Sequence, residues 1–104
     1  MSISTANVTT SIANAYVSSG NTCVTFLSLA NYSAANVTAN VYVVPSGSAA
    51  GNLNVSVANI QITVQDTFQF YASNEKLILA NGDSIQVNAG SDNAIAAVVS
   101  YTSI

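Results

Sequence analysis

The amino-acid sequence predicts an all-β protein, in which about eight short strands form a single antiparallel β-sandwich, jelly-roll-like in character. Three observations support this fold class. Apolar and polar residues alternate with period two in most segments, and helical spacing is scarce. Turn-forming residues recur every ~8–12 residues. β-Branched residues dominate between these turns, as strands prefer. The 104 residues suit one domain that spans residues 1–104.

The first predicted elements lie before residue 37. A weakly patterned strand is expected over residues 8–17, and residues 1–14 are a candidate extended N-terminal arm because they are polar, uncharged and free of glycine. The segment 22–30 is apolar on both faces in places, which is typical of a central strand. Residues 31–36 have the composition of a turn.

The segment 37–44 shows the cleanest alternation in the chain. Tyr42 falls on its polar face, and the opposite face carries Val37, Ala39, Val41 and Val43. Pro and Gly then interrupt the chain, so residues 45–52 are predicted to form a loop.

The second half of the sequence predicts five more strands, over residues 57–64, 66–71, 75–79, 84–88 and 94–104. Phe68 and Phe70 share one face, which indicates a place in the core. Asn81-Gly82 separates two of these strands. Because both residues tolerate the positive φ of a type I′ turn, the sequence predicts a β-hairpin at this point.

Charged residues make up only 5% of the chain, against ~25% in typical soluble domains. The net charge is −3, and Lys76 is the single cationic side chain. Binding to nucleic acid or to an anionic membrane requires several cationic groups, so neither partner is expected. No signal peptide and no transmembrane helix are expected either, since no uninterrupted apolar segment approaches ~18 residues.

The strand edges of this sandwich raise a separate expectation. Natural sandwiches guard open edges with Lys or Pro, and this chain has one of each. A nearly uncharged surface also provides little repulsion between copies. We therefore expect that another subunit covers the edges and that the working unit is a homo-oligomer.

The residue inventory predicts no catalytic, cofactor-binding or metal site. The chain has no histidine, and no Cys, Asp or Glu cluster has metal-ligand spacing. Asp66, Asp83 and Asp92 lie in turn sequences, where aspartate bonds to nearby backbone groups. Cys23 lies in an apolar run and is expected to be a small buried residue. A non-enzymatic protein is therefore expected.

Three segments resemble small β-proteins encoded among the structural genes of tailed bacteriophages. In this chain they read VYVVPSG over residues 41–47, LILANGDSIQV over residues 77–87, and AIAAVVSYTSI over residues 94–104. The resemblance covers roughly the C-terminal two-thirds of the chain. It implies a virion protein, made in the host cytoplasm, of the capsid decoration (cement) type. Such proteins commonly bind the major capsid protein as trimers on the outer surface of the head.

A capsid decoration protein is the function that we expect from these observations. The expected contact residues are Ile3 and Val8 in the arm, Tyr42 on its strand, and Pro45, Ser46 and Asn52 in the loop. Two alternatives stay open: a tail- or fibre-associated adhesin, and a carbohydrate-binding β-sandwich module. Tyr, Asn and Gln on a β-surface suit both alternatives, although tryptophan, on which sugars often stack, is absent.

Overall fold

A computed structural model describes residues 2–51, 53–70 and 77–104 of the chain. These residues form nine β-strands in two antiparallel sheets. The strands are β1 (Ser2–Val8), β2 (Ala13–Val17), β3 (Thr22–Asn31), β4 (Val37–Val44), β5 (Val55–Ile62), β6 (Thr67–Phe70), β7 (Leu77–Leu79), β8 (Ser84–Ala89) and β9 (Ile95–Ser103).

The strand order is that of a jelly roll. Sheet A has the order β1-β9-β3-β6, with β7 pairing β3 beside β6, and sheet B has the order β2-β8-β4-β5. The first half of the chain thus pairs with the second half as one long antiparallel ribbon: β1 with β9, β2 with β8, β3 with β6 and β7, and β4 with β5. The pairings β3–β9 and β4–β8 roll this ribbon into two sheets. The predicted antiparallel, jelly-roll-like sandwich is therefore confirmed.

The core lies between the two sheets and consists of the inward side chains of both. Sheet A contributes Leu27, Leu29, Ala97 and Val99, and the largest fully buried residue of sheet B is Ile85. One aromatic contact joins the sheets directly, since the rings of Tyr16 and Tyr101 lie 4.2 Å apart at 31°. The alternation read from residues 37–44 is confirmed over residues 37–42, because positions 38, 40 and 42 stay exposed or half-buried while Val37, Ala39 and Val41 are buried. It fails at the end of the strand, where Val43 is half-buried and Val44 is buried.

The central strand and its cysteine also match expectation. β3 lies between β9 and the β6–β7 edge, and Cys23 is buried and free. Phe68 packs against the core, and the side chain of Phe70 lies outside the described residues.

Two local predictions are wrong. Residues 8–17 do not form one strand: they contain the end of β1, a connection, and β2 in the other sheet.

The predicted Asn81-Gly82 hairpin is absent as well, because β7 pairs with β3 in sheet A while β8 belongs to sheet B. Only Gly82 has a positive φ in this turn, and Asp83 N donates to Ala80 O, which is the pattern of a type II turn that passes between sheets.

The expected N-terminal arm also takes a different form. Ser2–Val8 pairs with β9 over its whole length, and Ser4 Oγ donates a 3.0 Å hydrogen bond to Ala15 O in β2. The described part of residues 1–14 is therefore an edge strand, a connection and the first two residues of β2.

The side chain of Asn31, the last residue of β3 in sheet A, forms a hydrogen bond to the last residue of β5 in sheet B. Its Nδ2 donates to Ile62 O and Ala35 O, while its Oδ1 accepts from Ser33. The residue is 2% exposed, so water cannot replace these partners.

Replacement of Asn31 by Ala should lower the free energy of unfolding by about 2–3 kcal/mol, because the buried Ile62 carbonyl loses its donor. Urea denaturation followed by circular dichroism measures this. Asn7→Ala is the matched control, since that side chain makes exposed hydrogen bonds, and it should cost about 0.5 kcal/mol or less. Equal effects of the two substitutions would contradict the assigned role of Asn31.

Candidate interaction site

One end of the sandwich is built from three connections that bond to one another. These are the β2–β3 connection at residues 18–21, the β4–β5 connection that begins at Pro45, and the β7–β8 turn at residues 80–83. Ser18 N donates to Asp83 O, and Gly82 N donates to Ser18 O, which ties the first connection to the third. We call this surface the loop end.

Asp83 organises the loop end. Its Oδ1 accepts from Ser46 N at 2.8 Å, and its Oδ2 accepts from Ala80 N at 2.9 Å. One carboxylate thus fixes both the start of the β4–β5 connection and its own turn. Charge-assisted bonds of this kind are stronger than neutral ones. Asp66 likewise accepts from the backbone N–H of the next residue, Thr67, whereas Asp92 accepts from Thr10 N in the distant β1–β2 connection. All three described aspartates lie in turns, as predicted, and Asp66 and Asp83 bond to nearby backbone groups, but the Asp92 side chain bonds to a distant connection.

Gly82 brings the two connections into close contact. Its φ is 87°, and a Cβ atom built at this position would lie 2.5 Å from Ser46 Oγ. The positive φ and the close approach both require glycine here. The segments 41–47 and 77–87 therefore pack against each other in this chain.

The β4–β5 connection forms an open depression of about 470 Å³, which is lined by Pro45, Ser48, Ala49, Gly51, Leu53 and Asn54. Asn54 shapes it: its Oδ1 accepts from Gly51 N, and its Nδ2 donates to Ala49 O. Leu53 stands at the rim with 103% exposure, so its whole side chain faces solvent. Of the exposed large apolar residues that the structure describes, none is more exposed.

The outer face of sheet B is a second candidate surface and is rich in amides. Asn40 Nδ2 donates to Asn88 Oδ1 at 2.9 Å, and Asn40 Oδ1 accepts from Asn59 N. Tyr42 lies two positions further along β4, opposite Gln86. This face therefore presents hydrogen-bonding groups beside one half-buried aromatic ring.

The residues predicted to make contacts fall in different places. Pro45 and Ser46 are exposed at the loop end. Tyr42 lies on the outer face of sheet B, whereas Ile3 is 69% exposed on β1 in sheet A. Val8 is 1% exposed and belongs to the core, so its side chain cannot touch a partner. Asn52 lies outside the described residues.

Sequence reasoning missed Leu53 and the Asn40–Asn88 pair. An isolated leucine between two asparagines carries no periodic signal. Asn40 could have been found, because it shares the polar face of its strand with Tyr42.

Two further findings concern the described ranges only. Within residues 2–51, 53–70 and 77–104, no three His, Cys, Asp or Glu side chains come close enough to hold a metal ion. The same ranges contain no helix with the length and apolarity needed to cross a bilayer.

Comparisons with known proteins give no relative: no family model matches the sequence, and no curated protein and no solved structure matches the chain. The resemblance to phage proteins therefore stays a prediction from the quoted segments.

Position 82 requires glycine for two reasons, its positive φ and its close approach to Ser46. Three glycine-to-alanine substitutions measure these two effects separately. Gly51→Ala should be nearly neutral, because that site has neither a positive φ nor a close neighbour. Gly47→Ala should cost about 1–2 kcal/mol, because its φ of 83° is unfavourable for a residue with a Cβ atom. Gly82→Ala should cost more than Gly47→Ala, since the added methyl group also meets Ser46.

Thermal or urea unfolding of the three variants measures this order. Ser46→Gly in the Gly82→Ala background should recover part of the loss, because it removes the crowding atoms. A neutral Gly82→Ala variant would show that the two connections do not pack as described.

Proposed function

We propose that this protein is a non-enzymatic virion structural protein, a capsid decoration (cement) protein that binds the outer surface of a phage head as an oligomer and stabilises the shell. One observation carries the proposal: two of the segments that resemble phage structural proteins meet at the loop end, where Asp83 bonds to Ser46 N. These two segments thus form one surface, on which a partner can contact both.

The loop end has the properties of a docking surface. Leu53 is a fully exposed apolar side chain beside a depression that a partner's side chain can enter. Burial of one leucine contributes about 1.5–3 kcal/mol. The major capsid protein is the proposed partner, and an outward-facing shell surface offers many identical copies of its binding site.

The loop end is also held in shape before binding. Ser46 N and Ala80 N donate to Asp83, Gly51 N donates to Asn54, and Asn54 donates to Ala49 O. These bonds fix much of the connection. A preorganised loop loses less conformational entropy on binding, so a small contact can suffice.

Oligomerisation would strengthen this contact. When several copies are joined, the second and third contacts become intramolecular and the overall affinity rises by orders of magnitude. The resemblance implies a trimer at a three-fold position. A decoration protein of this kind bridges neighbouring shell subunits and resists pressure from the packaged DNA.

The outer face of sheet B favours one second candidate, a glycan-binding module of the tail-adhesin or free carbohydrate-binding type. Asn40, Asn88 and Gln86 supply hydrogen-bonding amides, and Tyr42 supplies an aromatic surface. Asn40 and Asn88 already bond to each other, however, so part of this capacity is used within the sheet. We therefore rank this candidate second.

The copy number in purified virions tests the proposal. Calibrated mass spectrometry should give a ratio of this chain to the major capsid protein near one to one. A ratio of a few per cent would instead place the chain in the tail or at a vertex and favour the adhesin. Absence from virions would contradict both and leave a free binding module.

Leu53→Ala should weaken binding to heads that lack the protein by about tenfold, because the docked leucine would lose much of its buried area. The unfolding free energy should stay within about 0.5 kcal/mol of the parent value, since the side chain is exposed. Co-sedimentation with heads at several protein concentrations measures the affinity.

Val64→Ala is the matched control for Leu53→Ala. Val64 is also exposed and apolar, at 44%, but it lies in the β5–β6 connection at the opposite end of the sandwich. If both variants bind heads as tightly as the parent chain, the loop end is not the docking surface.

A further inference from the structure

The four sheet edges of the sandwich differ in how well they are protected against pairing with another strand. In sheet B, β2 carries an extra residue at Ala15, and β5 has two register shifts against β4 as well as a left-handed Asn59. The far edge of sheet A is divided into β6 and β7, which have four and three residues. Bulges and short strands are the devices that natural sheets use to block edge-to-edge association.

β1 has none of these devices. Its seven residues pair with β9 in one unbroken register from Ser2 to Val8. The strand contains no proline, no glycine and no charged residue. In an antiparallel pair about half of a strand's backbone N–H and C=O groups point away from the partner. β1 therefore presents a regular, open row of hydrogen-bonding groups along the side of sheet A.

We infer that β1 is the self-association edge of this protein: the β1 strands of two copies pair antiparallel across a two-fold axis and join their A sheets into one. The inference rests on the self-association proposed above and assigns the edge that makes it, but it gives a two-fold dimer where the resemblance implies a three-fold trimer. A two-fold axis perpendicular to the strands makes two identical edges antiparallel, which is the geometry that a self-complementary interface needs.

The residues of β1 suit a second copy of the same strand. A register centred on Thr5 keeps all seven residues paired and places Ile3 opposite Asn7 of the other copy. Ser4 then lies opposite Ala6, and the two Thr5 side chains face each other on the exposed side of the sheet. No like charges meet anywhere along the pair, and Thr–Thr pairs across strands are favourable.

Sedimentation velocity of the purified chain, from low to high micromolar concentration, measures its oligomeric state. This measurement tests whether β1 is the self-association edge. The parent chain should form a dimer whose population rises with concentration. Thr5→Lys should weaken dimerisation about tenfold or more, because two ammonium groups would lie opposite each other at the axis. Ser56→Lys is the matched control: it adds the same charge at an exposed position on the bulged edge β5 and should leave dimerisation unchanged.

A cross-link provides an independent readout. Directly opposite residues have Cα atoms about 4.5–5.5 Å apart, which is within disulfide range. Thr5→Cys should therefore form an interchain disulfide with oxidised glutathione, and Ser56→Cys should not. The native Cys23 is 6% exposed and does not compete.

A dimer or trimer that is insensitive to Thr5→Lys and does not cross-link at position 5 would overturn the assignment of β1, while self-association itself would stand. A monomer at every concentration would contradict both. Circular dichroism of each variant confirms that the fold is intact, so that a lost dimer is not a lost fold.

Discussion

The pairing of β3 with β9 runs through the centre of sheet A and joins the first half of the chain to the second. It sets Leu27 opposite Val99 and Leu29 opposite Ala97, and all four side chains are buried in the core. β1 lies on the far side of β9, and β6 and β7 lie on the far side of β3, so the rest of sheet A is positioned by this pair. Sheet B has the same plan around β4 and β8, and it packs on sheet A through the shared core.

The outer faces of sheet A and sheet B present different side chains to solvent. On sheet A, the outward positions of the central pair are small or apolar and uncharged, as in Ser28 opposite Val98 and Ala30 opposite Ala96. Sheet B instead presents amides beside Tyr42. If two A sheets join at β1, the small, uncharged face becomes continuous across both copies, whereas the amide face stays separate on each. The proposed assembly thus leaves the loop end and sheet B free for other partners.

Period-two patterning was sufficient to predict the fold class and the inward face of most of β4, because alternation depends only on which residues are apolar. It could not predict which strands pair. Asn81-Gly82 correctly marked a turn, but a local signal does not say whether the flanking strands are neighbours. Ser18, which lies more than sixty positions earlier in the chain, bonds to the turn at Gly82 and Asp83, and Leu79 is buried in the core from sheet A. Those long-range contacts decide that the turn crosses between sheets.

The candidate site was predictable only in part, for a similar reason. The sequence marked Pro45 and Ser46 as loop residues, and both are exposed. The hydrogen bond from Ser46 N to Asp83 in the β7–β8 turn spans 37 positions, and no local pattern encodes it. Val8 shows the opposite error: its place in a polar segment suggested a contact role, but it enters the core where β1 pairs with the start of β9.

The pairing of β1 with β9 also has a consequence for the order of folding. Ser2 pairs with Tyr101, so an early strand of this chain completes its sheet only with a late one. On the ribosome, β1 must wait until β9 has emerged, and until then both edges of a regular, uncharged strand are open. Contacts of such long sequence separation also make folding slow. Nascent chains on one polysome therefore expose matching unpaired strands to one another, and contacts between such strands compete with folding.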